Sequence, residues 1–231
     1  GSEMCIRDRA YSIGMLVQLF ISGMNSALTP WMYSKIKKGD IRSMRKVLQL
    51  LSIVVVGIAV ALMLISPELV LIFGSPKYRE AVYVIPPVAA SVFFIFIYNI
   101  LSMPQFYYEK TQFLMAASMA AAGANVVLNF IFIRLFGYIA AGYTTLACYM
   151  LYSVGHYIVS KRILVNEGIQ ENLMNPGFLL ACSVFLIGAS IICNLIFPYR
   201  ILRYAILLAS AGLVFWKKEL LLKTMADIRK K

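Results

Sequence analysis

The sequence has little charge, and acid is its scarcest kind. Charged residues make up 14% of 231, and Asp and Glu together number only ten. Soluble domains carry about 25% charge. There is a single histidine, so a histidine-rich metal centre is excluded. HExxH, CxxC, GxSxG and the glycine-rich phosphate loop are all missing, and with them the chemistry those patterns carry. No carboxylate interrupts the middle of an apolar run, so an acid-based proton relay has no support in this chain. The four cysteines, Cys5, Cys148, Cys182 and Cys193, show no paired spacing. Three of them lie in apolar runs and read as small buried hydrophobes rather than a disulfide or zinc framework. Nothing here reads as an enzyme active site, a cofactor site or a metal site.

What is there is apolar. Hydrophobic residues reach 61%, against about 45–50% in soluble domains, and the mean hydropathy is +0.79. A soluble fold of this length exposes too much surface to hide that composition. The same figures exclude a disordered, collagen-like or small disulfide-bonded chain. The remaining class is an all-α integral membrane protein.

Crossing a hydrocarbon core of roughly 30 Å takes about 20 apolar residues. Seven such runs are expected: Tyr11–Tyr33, Val47–Phe73, Val82–Met103, Phe113–Leu135, Tyr138–Val159, Gly177–Phe197 and Ile201–Trp216. Pro30 falls near the end of the first, Pro86-Pro87 opens the third and Pro104 closes it. Proline removes a backbone donor, which suits a helix end or a kink. The net charge of +12 then becomes a matter of placement. Fifteen Lys and Arg cluster between the first and second runs, between the third and fourth, between the fifth and sixth, and in the tail, whereas five lie at the other ends. The positive-inside rule places the first set and the C-terminus in the cytoplasm, and no nucleic-acid partner is needed to explain the charge. The basic stretch Lys35–Lys46 alternates with Ile36, Ile41 and Met44, which fits either an amphipathic turn at the membrane surface or a plain cytoplasmic loop.

Polar side chains recur at helical spacing inside four runs. Gly14, Gln18, Ser22, Asn25 and Thr29 form one stripe, and Ser91, Tyr98, Asn99, Ser102 and Gln105 a second. Ser118, Ala122, Asn125 and Asn129 form a third, and Ala141, Thr145, Cys148, Tyr152 and Gly155 a fourth, with His156 beside it. Small and polar residues can simply glue a bundle together, and Ala116, Ala120 and Ala124 suit that role. Packing accounts for any one of these residues. The set of stripes, with amides on three helices, points to a hydrated cavity. Gln18, Asn25, Tyr98, Asn99, Gln105, Asn125, Asn129, Thr145 and Tyr152 are the candidate cavity residues. Glu109, Lys110, Arg134 and His156 are candidates for headgroup or gating contacts, although snorkelling explains Arg134 and an interfacial placement explains His156.

Several segments look familiar. NSALTPWMYSKIKKGD (25–40), YREAVYVIPPVAASVFF (78–94), FYYEKTQFLMAAS (106–118) and NVVLNFIFIRLFGYIAAGYTTLACY (125–149) resemble the polysaccharide and O-antigen flippases. These belong to the multidrug/oligosaccharidyl-lipid/polysaccharide exporter superfamily. The resemblance covers about 11–162. It implies the C-terminal half of a 12–14-helix transporter, with 10–162 in its second bundle and 163–231 forming two extra helices and a basic tail. Residues 1–9, GSEMCIRDR, resemble the translation of a sequencing adapter rather than native protein. The implied task is to move an undecaprenyl-pyrophosphate-linked oligosaccharide across the bacterial inner membrane by alternating access. The implied partners are that lipid, the surrounding membrane lipids and an N-terminal half. A drug or cation antiporter of the same superfamily, or a non-transport subunit of polysaccharide synthesis, are the alternatives.

Overall fold

A computed structural model of the chain describes residues 21–73 and 82–216. Among these residues there are helices and turns and no strand. Helix α1 covers 21–37 of the described chain. It is followed by α2 (Ile41–Leu64), α3 (Ser66–Phe73), α4 (Ile85–Tyr107), α5 (Gln112–Phe136), α6 (Ala140–Asn166), α7 (Pro176–Ile196) and α8 (Arg200–Trp216). Four of them, α2, α4, α5 and α7, are both long and apolar enough to cross a membrane. That is fewer than the seven expected runs. Helix α6 has the length, with 27 residues, but also carries hydroxyls, His156, Lys161 and Arg162. Helix α8 has only 17 residues, and the run from Tyr11 begins outside the described residues.

The second expected run is two helices. Pro67 has no N–H to give and its ring crowds the carbonyl four residues back, so α2 stops at Leu64. The chain then restarts as α3, and the Ser66 hydroxyl donates to the Met63 carbonyl (2.7 Å). The basic stretch Lys35–Lys46 is mostly the ends of two helices, joined by a short exposed turn at Lys38 and Gly39. Helix α1 continues to residue 37, Gly39 takes a left-handed φ of 68°, and Asp40 caps α2 by accepting from the Ser43 N–H (3.3 Å). Lys35, one of the expected cytoplasmic charges, is buried and pairs with Asp40. Pro30 and Pro104 do not end their helices. Pro104 sits inside α4, which runs on to Tyr107.

Helix α4 forms the centre of the bundle. It packs against α2, α6 and α7 and contributes Phe93, Phe96, Ile97, Ile100 and Leu101, all essentially inaccessible. Helix α6 comes closest to it at Gly142, where an added Cβ would lie 2.8 Å from Pro87 and 2.9 Å from the Val84 carbonyl oxygen. Only glycine permits that approach. Further along, the Ser153 hydroxyl of α6 donates to the Phe94 carbonyl of α4 (2.9 Å). Helix α5 joins the bundle chiefly through α6.

Candidate functional site

The polar stripes of α4 and α6 meet along their shared seam. Gln105 and His156, 51 residues apart, are both fully buried, and the Gln105 amide lies 2.7 Å from His156 Nδ1. The Gln105 amide and the Nδ1 ring nitrogen are thus hydrogen-bonded to each other across the seam. Three aromatic rings enclose the imidazole: Tyr152 edge-on at 4.5 Å, Phe113 of α5 at 5.5 Å and Tyr98 at 5.9 Å. Tyr98 also stacks on Tyr149 at 6.2 Å and leans on Tyr152 at 4.7 Å. The Tyr152 hydroxyl lies 2.7 Å from that of Ser118 on α5. Phe113 reaches this centre because Gly155 leaves room for it. A Cβ there would stand 3.3 Å from the ring.

A second cluster joins α5 to α6. Asn129 donates through its amide to Asn125 (2.8 Å) and accepts from the Thr144 hydroxyl. Each polar group meets another instead of hydrocarbon, which is how amides are accommodated between membrane helices.

The candidate residues thus fall into separate groups. The seam gathers Tyr98, Gln105, Tyr152 and His156, and the α5–α6 contact gathers Asn125 and Asn129. Asn99 turns its amide back to the Ile95 carbonyl of its own helix (2.7 Å). Thr145 likewise donates to Ala141 (2.8 Å). Asn25 lies on α1, where the neighbouring Thr29 hydroxyl donates to the Asn25 backbone carbonyl (2.7 Å) and approaches Met103 sulfur of α4 (3.5 Å). No hydrogen bond among the described residues joins Asn25 or Asn99 to the asparagines of α5. Gln18 lies outside the described residues.

Of the headgroup and gating candidates, His156 is fully buried, with Gln105 and three rings in place of contacts with water. Arg134 is exposed over the Phe130 ring, at 3.9 Å. Lys110 pairs with Glu167 across the ends of α4 and α6 (2.9 Å). Burial pushes the neighbouring Tyr108 phenol up, with the Glu167 carboxylate a smaller cause. Glu109 is exposed and holds a left-handed φ of 56°.

Two features escaped the sequence. Thr144, not the adjacent Thr145, reaches Asn129. Arg203, within the expected run Ile201–Trp216, is buried in α8 and grips Glu68 with both guanidinium Nη atoms, at 2.8 and 2.9 Å. No group of three His, Cys, Asp or Glu suited to a metal occurs among the described residues. Cys148, Cys182 and Cys193 are free thiols in the bundle.

The chain matches the family model MatE over residues 8–131. No curated protein and no solved structure matches it.

Proposed function

The chain belongs to the MatE family of membrane exporters, and from that premise we propose that it serves the export of a lipid-linked oligosaccharide. The observation that carries this reading is the chemistry of the seam. Its polar groups are amides, hydroxyls and an imidazole, interleaved with Tyr98, Tyr149 and Tyr152, and no Asp or Glu occurs in α2 or in α4 through α8. Neutral donors and acceptors beside aromatic faces suit hydroxyl-rich sugar rings. An exporter of cationic drugs would gain from a buried carboxylate to balance the cargo. Alternating access, with the helix bundle tilting about the substrate, is the proposed mechanism. The bacterial inner membrane, with the C-terminus in the cytoplasm, is the proposed setting.

Binding tests this reading. The chain is placed in lipid nanodiscs and offered an undecaprenyl-pyrophosphate-linked oligosaccharide, the same lipid without sugar, or ethidium. Retention is read by native mass spectrometry. The oligosaccharide lipid is expected to be retained at least tenfold better than the sugar-free lipid, and Tyr98→Ala to erase the difference. Equal retention of both lipids, or preferential retention of ethidium, overturns the reading. Water access to the proposed cavity is a separate matter. Asn25, Asn99, Asn125 and Asn129, each replaced by cysteine, are expected to react with a water-soluble maleimide, and uniform protection sinks the cavity.

A further inference from the structure

Helix α2 is interrupted at a point where its last carbonyls need partners. The final four C=O groups of a helix have no donor within it. Some are met locally, since the Ile65 N–H reaches the Ala61 carbonyl (3.0 Å) and the Ser66 hydroxyl the Met63 carbonyl (2.7 Å). The Leu64 carbonyl is met from elsewhere. Arg203 Nη1, 139 residues away on α8, donates to it at 2.7 Å. The same guanidinium holds both carboxylate oxygens of Glu68 in the first turn of α3, and the Tyr204 hydroxyl donates to Glu68 Oε1 (2.9 Å). A cation therefore sits at the C-terminal, negative end of one helix, and a carboxylate at the N-terminal, positive end of the next. Both placements follow the helix dipoles. The planar guanidinium is the one side chain that can serve a carbonyl and fork a carboxylate at once.

Among the described residues, little else holds α8 here. It touches α2 and α7 at few points, and Ile201 and Leu208 are 87% and 73% exposed. We propose that Arg203 is a positioning residue, a strap from α8 that fixes the angle between α2 and α3. While the strap is fastened, α2, α3 and α8 move as one body. For α3 to swing relative to α2, the guanidinium must leave both the Leu64 carbonyl and the Glu68 carboxylate. The strap is independent of what the protein carries, and it places control of the α2–α3 elbow in the C-terminal helix.

Distance measurements between paired spin labels test this in the 231-residue chain, held in lipid nanodiscs with the native cysteines replaced by alanine. Ile53, Leu71 and Leu208 are exposed and accept labels after substitution by cysteine. One pair, 53 with 71, reads the elbow. The other, 71 with 208, reads the docking of α8. Both distributions are expected to be narrow in the parent chain and at least twofold broader in Arg203→Met. The exchanged pair Glu68→Arg with Arg203→Glu is expected to recover part of the narrowing. Arg203→Lys keeps the charge without the fork, so it is expected to give intermediate widths and carries the test if Arg203→Met does not assemble. A 53–71 distribution that stays narrow in Arg203→Met, or in Arg203→Lys where that variant stands in for it, overturns the proposal and leaves Arg203 as an anchor for α8 alone.

Discussion

Helices α4 and α5 are near twins in hydropathy and opposites by placement. Both are long enough to cross a membrane, and their mean hydropathies are almost equal, yet 72% of the most apolar stretch of α4 is buried and none of that of α5. In water such a pair could not exist, because the hydrophobic effect would drive the second helix inward. In a bilayer the lipid tails are as apolar as leucine, so apolarity alone gives no preference for the core. What draws α4 inward is the fit of its surroundings. Gly142 lets α6 touch its first turn, Ser153 bonds to its backbone, and Gln105 finds His156. Helix α5 has one such edge, through Asn125, Asn129 and Ser118, and elsewhere turns outward Met115, Met119, Val126, Phe130 and Leu135.

The strongest way to break this contrast is a pair of glycine substitutions. Gly142→Val drives a side chain into a backbone carbonyl that cannot step aside. It is expected to cost about 3 kcal/mol, the upper end of usual overpacking. Gly123→Val on α5 meets nothing within 4 Å and is expected to change stability by less than about 1 kcal/mol. Unfolding in mixed detergent micelles checks both. Equal losses at the two positions would mean that the seam is not where the bundle is held. Next in size is Gln105→Leu, which strands the buried His156 Nδ1 and is expected to cost about 2 kcal/mol. Gln105→Leu with His156→Phe removes both partners and is expected to cost less than the two single losses added together. An additive result would show that the two side chains are not coupled.

How much of this was legible is itself divided along the same line. The helices α4, α5 and α7 follow directly from their apolar runs, although α4 runs past Pro104 to Tyr107. Which of them is central was not legible, because hydropathy does not separate a core face from a lipid face. Of the polar stripes on α4 and α6 only some members meet across the seam, Tyr98 and Gln105 with Tyr152 and His156, because a stripe says nothing of its partner. That His156 is buried was not legible, because its partner Gln105 lies 51 residues away. Thr145 fitted the four-residue step from Ala141, whereas Thr144, about 100° around the helix, is the one that faces α5. The break at Ser66-Pro67 was not expected, since Val47–Phe73 reads as one apolar run, and nothing local announces that Arg203 closes it.

Smaller effects sharpen the picture of α5. Asn129→Ala removes both the bond to Asn125 and the bond from Thr144. It is expected to cost about 1 kcal/mol, since hydrogen bonds between membrane helices average near 0.6. Loss of more than twice that would make the α5–α6 edge as strong as the seam. The smallest expected change concerns the residues that close the two helices. After α5 the left-handed position is Gly137, at φ 75°. After α4 it is Glu109, whose turn closes as those at Gly39 and Gly168 do, with the Lys110 N–H reaching Gln105 O (2.8 Å) and the Glu109 N–H reaching Phe106 O (3.2 Å). A side chain at that φ costs about 1 kcal/mol. Glycine relieves the cost but adds freedom to the unfolded chain, so Glu109→Gly is expected to stabilise by about 0.5 kcal/mol. Retention of the oligosaccharide lipid then separates two roles for this exposed carboxylate. If it only closes a helix, the variant binds as the parent does and melts slightly later. If binding falls while stability rises, Glu109 is kept in its costly conformation for what its carboxylate touches.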